Sequence, residues 1–414
     1  MKLMVISQYF YPEQFRINDV CFQLAEMGHE VIVLTGLPNY PSGNIFDDYE
    51  WDSLTTKSNY SPKLKAYLEE INGVEIIRSK LSPRKSGKKN LILNYLSFAY
   101  HTSKIAYNLA KKSLESFDKI LVFQYSPVTM VLPGIILKRK LKKPLYLYCF
   151  DLWPESIVSA GLPNHGVLYQ LIYFLSKWIY KQADKIFISS KNFRTYFQNK
   201  LGIYQNIYYL PIYAEALFSA VTNTVVKSSE DQENNINLVF AGNVGEMQSV
   251  ETIIEAAKHL ESCSNIHFHI VGDGSASERC IQMAKDLSVK NITFHGRHPL
   301  EEMPYFYEMA DAFLVTLKKN EFISYTLPGK VQSYMAAGKP LLAAIDGEVS
   351  EVIKDAECGL CCPAEDDEGL AEIILEFAQD KENRRKYGDC SKAYYEKNFS
   401  SEAFFSSLIS YLQE

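Results

Sequence analysis

The sequence has no CxxC pair and no group of histidines at metal-ligand spacing, and its eight cysteines are scattered. Cys361 and Cys362 are neighbours whose side chains diverge on a strand, so the pattern reads as reduced core thiols rather than a disulfide framework or a zinc site. Long apolar runs are missing too. Stretches such as MVLPGIIL from Met130 fall well short of the ~18 residues a spanning helix needs. The opening MKLMVISQYF lacks the basic region and apolar core of a signal peptide, and the chain is expected to act inside the cell. No GxGxxG follows the first apolar strand, which disfavours a plain dinucleotide-binding fold. Repeat arrays and low-complexity tracts are likewise absent.

What is present is a chain of 414 residues, 47% of them hydrophobic, able to bury sizeable cores. At ~150 residues per domain it has room for two or three. Charge is uneven: residues 1–210 hold 26 Lys and Arg against 16 Asp and Glu, a balance of +10, and the remainder 17 against 33, a balance of −16. The halves are chemically different bodies. Lys80, Arg84, Lys85, Lys88 and Lys89 run directly into LILNYLSFAY, and Lys138, Arg139, Lys140, Lys142 and Lys143 form a second group. Cations beside exposed apolar side chains adsorb to anionic lipid, each contributing about 1 kcal/mol near the bilayer. The first cluster is read this way, against the alternative of a solvated loop. The second reads as a helix C-terminus whose cations answer the helix dipole.

Strands alternate with helices twice over. KLMVISQ, HEVIVLTG, GVEIIRS, KILVFQ, LYLYCFD and KIFISS precede the polar stretch around SSEDQENN, and INLVFAG, IHFHIVG, ITFHG, AFLVTL and PLLAAID follow it. Pure alternation of apolar, β-branched strands with helices predicts an α/β protein with two doubly wound, Rossmann-like parallel sheets. The expected boundaries are a first domain over 1–212, a linker over 213–235, a second domain over 236–395 and a closing helix over 396–414.

The stretch from Thr326 to Ala344, TLPGKVQSYMAAGKPLLAA, is a loop, helix, turn and strand, with Pro328 and Gly329 ahead of the helix and Lys330 in its first turn. A helix N-terminus with unpaired N–H groups and partial positive charge suits a phosphate or diphosphate; the alternative is an ordinary αβ unit. FAGNVGEMQ places Gly242 and Gly245 on a strand-to-helix turn where backbone N–H groups can approach the same anion. Asp151, at the end of LYLYCF and opening DLWPES, is either a helix cap or a cleft residue.

These segments, with SQYFYPEQFRIND from Ser7, LTGLPNYPSG from Leu34, VGDG from Val271 and HGRHPLEEMPYFYEMADA from His295, occur in an order that resembles the family 4 retaining glycosyltransferases. The resemblance is to the O-antigen and capsule branch typified by N-acetylfucosaminyltransferase-like proteins. It implies the GT-B fold: two Rossmann-like domains facing a cleft, the last helix returning to the first domain. It implies transfer of an N-acetylated hexosamine or deoxyhexosamine from a UDP-sugar donor, with retention, to a polyprenyl-diphosphate-linked or oligosaccharide acceptor. No further cofactor, metal or nucleic acid is expected, and the place of work is the inner face of the cell membrane, by peripheral contact.

By the same resemblance Glu13, Arg16, Asn39 and Tyr40 serve the acceptor side, and Asp151 contacts the sugar, with Glu155 a weaker candidate. Asn243 and Gln248 stand where the family commonly has the Arg and Lys that clamp the diphosphate, so Lys330 becomes the cation that stabilises the leaving group, with Arg297 and Lys318 as helpers. The family's E-x7-E carboxylates fall on Tyr325 and Ser333. Gln332, Ser333 or Glu348 are the substitutes for gripping the ribose, and Glu321 for the sugar; Thr326, Pro328 and Gly329 line the donor. A UDP-sugar epimerase of the same architecture and a non-catalytic sugar-nucleotide-binding subunit are the rival readings.

Overall fold

The computed structural model describes residues 1–112, 116–159, 162–220 and 235–414. The chain falls into two units, Met1–Ile188 with Phe197–Tyr209, and Ser189–Tyr196 with Leu210–Glu414.

The first unit is a nine-stranded sheet in the order β3-β4-β5-β2-β1-β6-β7-β8-β9. Its strands are β1 (Lys2–Ile6), β2 (Glu30–Gly36), β3 (Tyr60–Ser61), β4 (Ala66–Ile71), β5 (Val74–Ser79), β6 (Lys119–Gln124), β7 (Leu145–Cys149), β8 (Lys185–Ile188) and β9 (Ile207–Tyr209). β1 lies at the centre, Val5 pairing with Val33 on one side and Leu121 on the other. It is apolar throughout because a central parallel strand is covered on both faces. All six runs marked as strands in the sequence of this half are present, but the expected pure alternation is corrected at one edge. β4 runs antiparallel to β5, joined by Asn72-Gly73, both at positive φ (49° and 75°). Asn-Gly is the pair that a two-residue hairpin turn demands.

The helices of this unit are α1 (Arg16–Glu26), α2 (Trp51–Leu54), α3 (Lys88–Lys112), α4 (Leu132–Leu141), α5 (Glu155–Ser159) and α6 (Val167–Tyr180), followed by α7 (Phe193–Asn199). The steps β5 to β6, β6 to β7 and β7 to β8 all move the same way across the sheet. Right-handed crossovers therefore put α3, α4 and α6 on one face. α4 ends at Lys142 in the left-handed region with Lys138, Arg139 and Lys140 in its last turn, as expected for cations answering a helix dipole.

The second unit is a six-stranded sheet, every pairing parallel, in the order β12-β11-β10-β13-β14-β15. Its strands are β10 (Ile236–Ala241), β11 (Ile266–Val271), β12 (Ile292–Gly296), β13 (Ala312–Thr316), β14 (Leu341–Ala344) and β15 (Gly359–Cys362). Around them lie α8 (Ala216–Ser219), α9 (Val250–His259), α10 (Ser277–Asp286), α11 (Met303–Met309), α12 (Gly329–Ala336), α13 (Glu348–Ala356), α14 (Asp367–Gln379), α15 (Lys381–Asn398) and α16 (Ser401–Gln413). Leu238, Phe240, Ile253, Phe268, Ile270, Leu314 and Leu342 share one core. The eight cysteines are free thiols.

Most of the linker, residues 221–234, lies outside the described residues, but its first part is packed: Phe218 stacks on Tyr307 at 4.3 Å between centroids, and Tyr213 meets Phe404 and Phe405. The closing helix α16 falls within the second unit.

Candidate functional site

In α/β sheets ligands bind at the C-terminal ends of the strands. In the second unit two of those ends are pressed together. Gly242 N donates to Val271 O (2.9 Å) and Gly272 N to Gly296 O (2.8 Å). A Cβ on Gly272 would sit 1.8 Å from Gly242 O, so this glycine is required for the loops after β10 and β11 to pack backbone on backbone. Asn243 folds over Gly245, where a Cβ would meet its Nδ2 at 2.6 Å.

Against this turn stands α12. Tyr334 locks it there: its hydroxyl donates to Ala241 O (2.7 Å) and accepts from Ala241 N (2.9 Å), and its ring stacks on Phe313 at 3.9 Å. Pro328 is the N-cap, and the first turn carries no acidic residue. Lys330 projects from that turn over Gly242, with Cε 3.4 Å and Nζ 3.5 Å from where a Cβ would be. Its ammonium lies 3.8 Å from the centroid of the Phe240 ring and donates to Gln248 Oε1 at 2.5 Å. Gln248 is itself tied down, its carbonyl accepting from Thr316 Oγ1 (2.6 Å). A lysine at 248 would repel Lys330, whereas the amide oxygen accepts its hydrogen bond. Burial lowers the pKa of Lys330 to about 7. An anion at this helix terminus would favour the charged form again.

The other donor-side candidates separate. Gln332 and Ser333 turn inward. Ser333 Oγ donates to Gly329 O (3.2 Å), and Gln332, with its amide oriented to satisfy its surroundings, donates to Pro328 O (2.8 Å) and Gly329 O (3.3 Å). Glu348 is buried, and its two oxygens accept from Lys191 N (3.0 Å) and Asn192 N (2.8 Å). That is a structural employment the sequence reading did not assign, and burial raises its pKa. Thr326 is held in its loop by a bond to Ile323 O (2.9 Å). Arg297 is exposed beyond β12, at the sheet edge two strands from β10, and Lys318 pairs with Glu365 (3.4 Å). Glu321 accepts from Tyr325 Oη (3.2 Å) in the loop before α12.

In the first unit the loops after β1 and β2 are joined by one carboxylate. Glu13 is buried; Oε1 accepts from Asn39 N and Tyr40 N (both 2.8 Å) and Oε2 from Phe10 N (3.2 Å). Burial raises its pKa to about 7 despite these three bonds. Asn39 is buried as well, its Oδ1 accepting from Arg84 N (3.1 Å) and Asn94 Nδ2 (3.2 Å). Glu13 and Asn39 thus shape the loops after β1 and β2 from within, while the Tyr40 ring is partly exposed beneath the Arg84 guanidinium, 5.5 Å from its centroid. Arg16 opens α1 and pairs with Asp19 (2.7 Å). Asp151 takes a bond from Ser126 Oγ, which accepts in turn from Trp153 Nε1 (3.0 Å); burial raises its pKa against that bond. Glu155 accepts from Tyr169 Oη (2.8 Å).

Sequence reasoning missed Arg78. Fully buried, it pairs with Glu69 and donates to Gly36 O (3.3 Å) and Tyr11 O (2.5 Å), fastening the ends of both loops. Its signal was available: a lone cation inside the buried strand GVEIIRS needs a partner. Among the described residues no group of three or more His, Cys, Asp or Glu is placed to hold a metal ion, and no helix is long and apolar enough to cross a membrane.

Residues 222–393 match the family model described as "Glycosyl transferases group 1". WbjE of Pseudomonas aeruginosa, named a probable glycosyltransferase, is 25% identical over 61% of this chain and 64% of its own length. WcaI of Escherichia coli K12, whose name assigns it to colanic acid biosynthesis, is 25% identical over 82% of each chain. The crystal structure of HepE from Anabaena, in complex with UDP and glucose, superimposes over 100% of both chains with a TM-score of 0.69 at 14% identity. The chain therefore has the GT-B fold, and its residues 222–393 are similar to the group 1 glycosyltransferases.

Proposed function

We propose that this chain transfers an N-acetylated hexosamine or deoxyhexosamine from a UDP-sugar to a lipid-linked glycan in O-antigen- or capsule-type polysaccharide synthesis, with retention and without a metal ion. The observation that carries the reading is Lys330, held at the N-terminus of α12 over the Gly242 turn by Gln248 and Phe240. The C1–O bond to the diphosphate breaks with its electron pair going to phosphate. The acceptor oxygen bonds to C1 on the same face and gives its proton to the departing phosphate oxygen. Such a step needs stabilisation of the leaving group more than a paired acid and base, and a helix terminus with one cation supplies positive potential. Asp151 is kept for a sugar or acceptor hydroxyl. The Lys80–Tyr100 segment, with exposed Lys85, Lys88 and Lys89, contacts anionic lipid at the inner face of the membrane.

Incubation with a panel of UDP-sugars tests this: slow UDP release is expected with one of them. A changed sugar without UDP release would mean an epimerase, and binding alone a non-catalytic subunit. NMR of the glycosidic bond formed, with and without EDTA, is expected to show the donor's anomeric configuration in both. Inversion would make Asp151 a general base.

A further inference from the structure

α6 presents an apolar stripe to solvent. Val167, Leu168, Leu171, Phe174, Leu175 and Trp178 are 78%, 59%, 62%, 63%, 39% and 40% exposed, at the i, i+1, i+4, i+7, i+8, i+11 positions of one helix face. Ser176, Ile179 and Tyr180 pack inward instead. A surface helix of a globular protein normally buries this stripe. On the same face of the sheet α3 exposes Ile92, Leu93, Leu96 and Tyr100. The basic end of α4 touches both helices: the Arg139 guanidinium lies 5.5 Å from the Trp178 ring centroid, and Lys140 Nζ lies 5.2 Å from that of Tyr107 on α3.

Charge selects the occupant. Between them α3, α4 and α6 carry nine Lys and Arg and no Asp or Glu. A second copy pairing through the same face would set cation against cation. An anionic bilayer answers both features, taking apolar side chains into the acyl boundary while the cations remain among the headgroups. We propose that the exposed stripe of α6 inserts into the surface of an anionic lipid bilayer, with the cations of α4 and α3 as its electrostatic flank. This rests on the membrane contact proposed above and adds to it the element that inserts.

The test is sedimentation with vesicles of neutral phosphatidylcholine and of the same lipid with anionic phosphatidylglycerol. The full chain, the Leu168→Ser/Leu171→Ser/Phe174→Ser variant and a Lys85→Ser/Lys88→Ser/Lys89→Ser variant are compared at low and high salt. All the substituted side chains are on the surface, so circular dichroism is expected to match wild type. The full chain is expected to bind anionic vesicles, the α6 variant at least about tenfold more weakly. The binding left at high salt should vanish with the α6 variant and survive in the lysine variant, since salt screens cations but not apolar contact. Trp178 should shift its fluorescence to the blue on vesicles, a shift absent in Trp178→Phe. Equal binding by the α6 and wild-type proteins would overturn the role of α6 while leaving membrane contact through the lysines intact. No binding by wild type would overturn both, and UDP release would still report on the transferase reading separately. A concentration-dependent dimer by light scattering, abolished by the α6 substitutions, would assign the stripe to self-association instead.

Discussion

At the ends of its strands the first unit holds its loops with buried polar side chains, Glu13, Asn39, Asn94 and Arg78, whereas the second holds them backbone to backbone, Gly272 on Gly242, and places Lys330 above them. Side-chain pins let loops keep a fixed shape while outer residues, such as Tyr40, stay exposed. Backbone stacking removes side chains from the surface and leaves N–H groups and a helix terminus, which suit a ligand part that does not vary, such as a diphosphate.

Breaking the polar pins should do the most damage. Arg78→Met leaves Glu69 and two carbonyls without their buried cation, and chemical denaturation is expected to show a loss of about 3–5 kcal/mol. A loss below about 1 kcal/mol would mean the loops are held by something else. Gly272→Ala is the matching stroke in the second unit. A Cβ 1.8 Å from Gly242 O at a φ of +134° must displace one strand end, and about 2–4 kcal/mol is expected from overpacking and backbone strain together.

Lys330→Ala should spare the fold and reduce kcat/KM for UDP release some 30- to 1000-fold, about 2–4 kcal/mol of transition-state stabilisation. Because burial lowers the pKa of Lys330 to about 7, UDP affinity of the wild type should fall as pH rises above about 7, and Lys330→Arg should flatten that dependence, which titration calorimetry would register.

Glu13 gives the smallest effect and a defined sign. Its pKa is raised from 4.5 to about 7 by burial, so the folded state holds the proton more readily than the unfolded chain. Its favourable contribution is complete below about pH 4.5 and fades as pH rises through about 7. The stability of wild type relative to Glu13→Gln should accordingly drop by about 1–3 kcal/mol between those limits. A pH-independent difference would show that Glu13 titrates normally.

The sheets were legible because apolar, β-branched runs such as KLMVISQ and INLVFAG have no other way to bury both faces. The β4–β5 hairpin was written in Asn72-Gly73 and hidden by a reading tuned to alternation. At the site, the helix terminus and Lys330 could be seen in LPGK, since cap chemistry is local. That Gln248 would receive Lys330, that Glu348 would bind Lys191 and Asn192, and that Arg78 would fasten two loops could not. Each depends on partners 82, 157 and 156, or 42 and 67 residues away, which only the fold brings together.

The chain changes unit three times, after Ile188, Tyr196 and Tyr209, and the eight residues of the first excursion end at the carboxylate of Glu348. A single cut therefore cannot divide the protein into its two halves. A fragment beginning at Leu210 would retain every strand of the second sheet yet leave a buried carboxylate facing no N–H groups. Chimeras that exchange the second unit with that of a relative would need to carry residues 189–196 with it, since the unit is stitched from two separate stretches of chain.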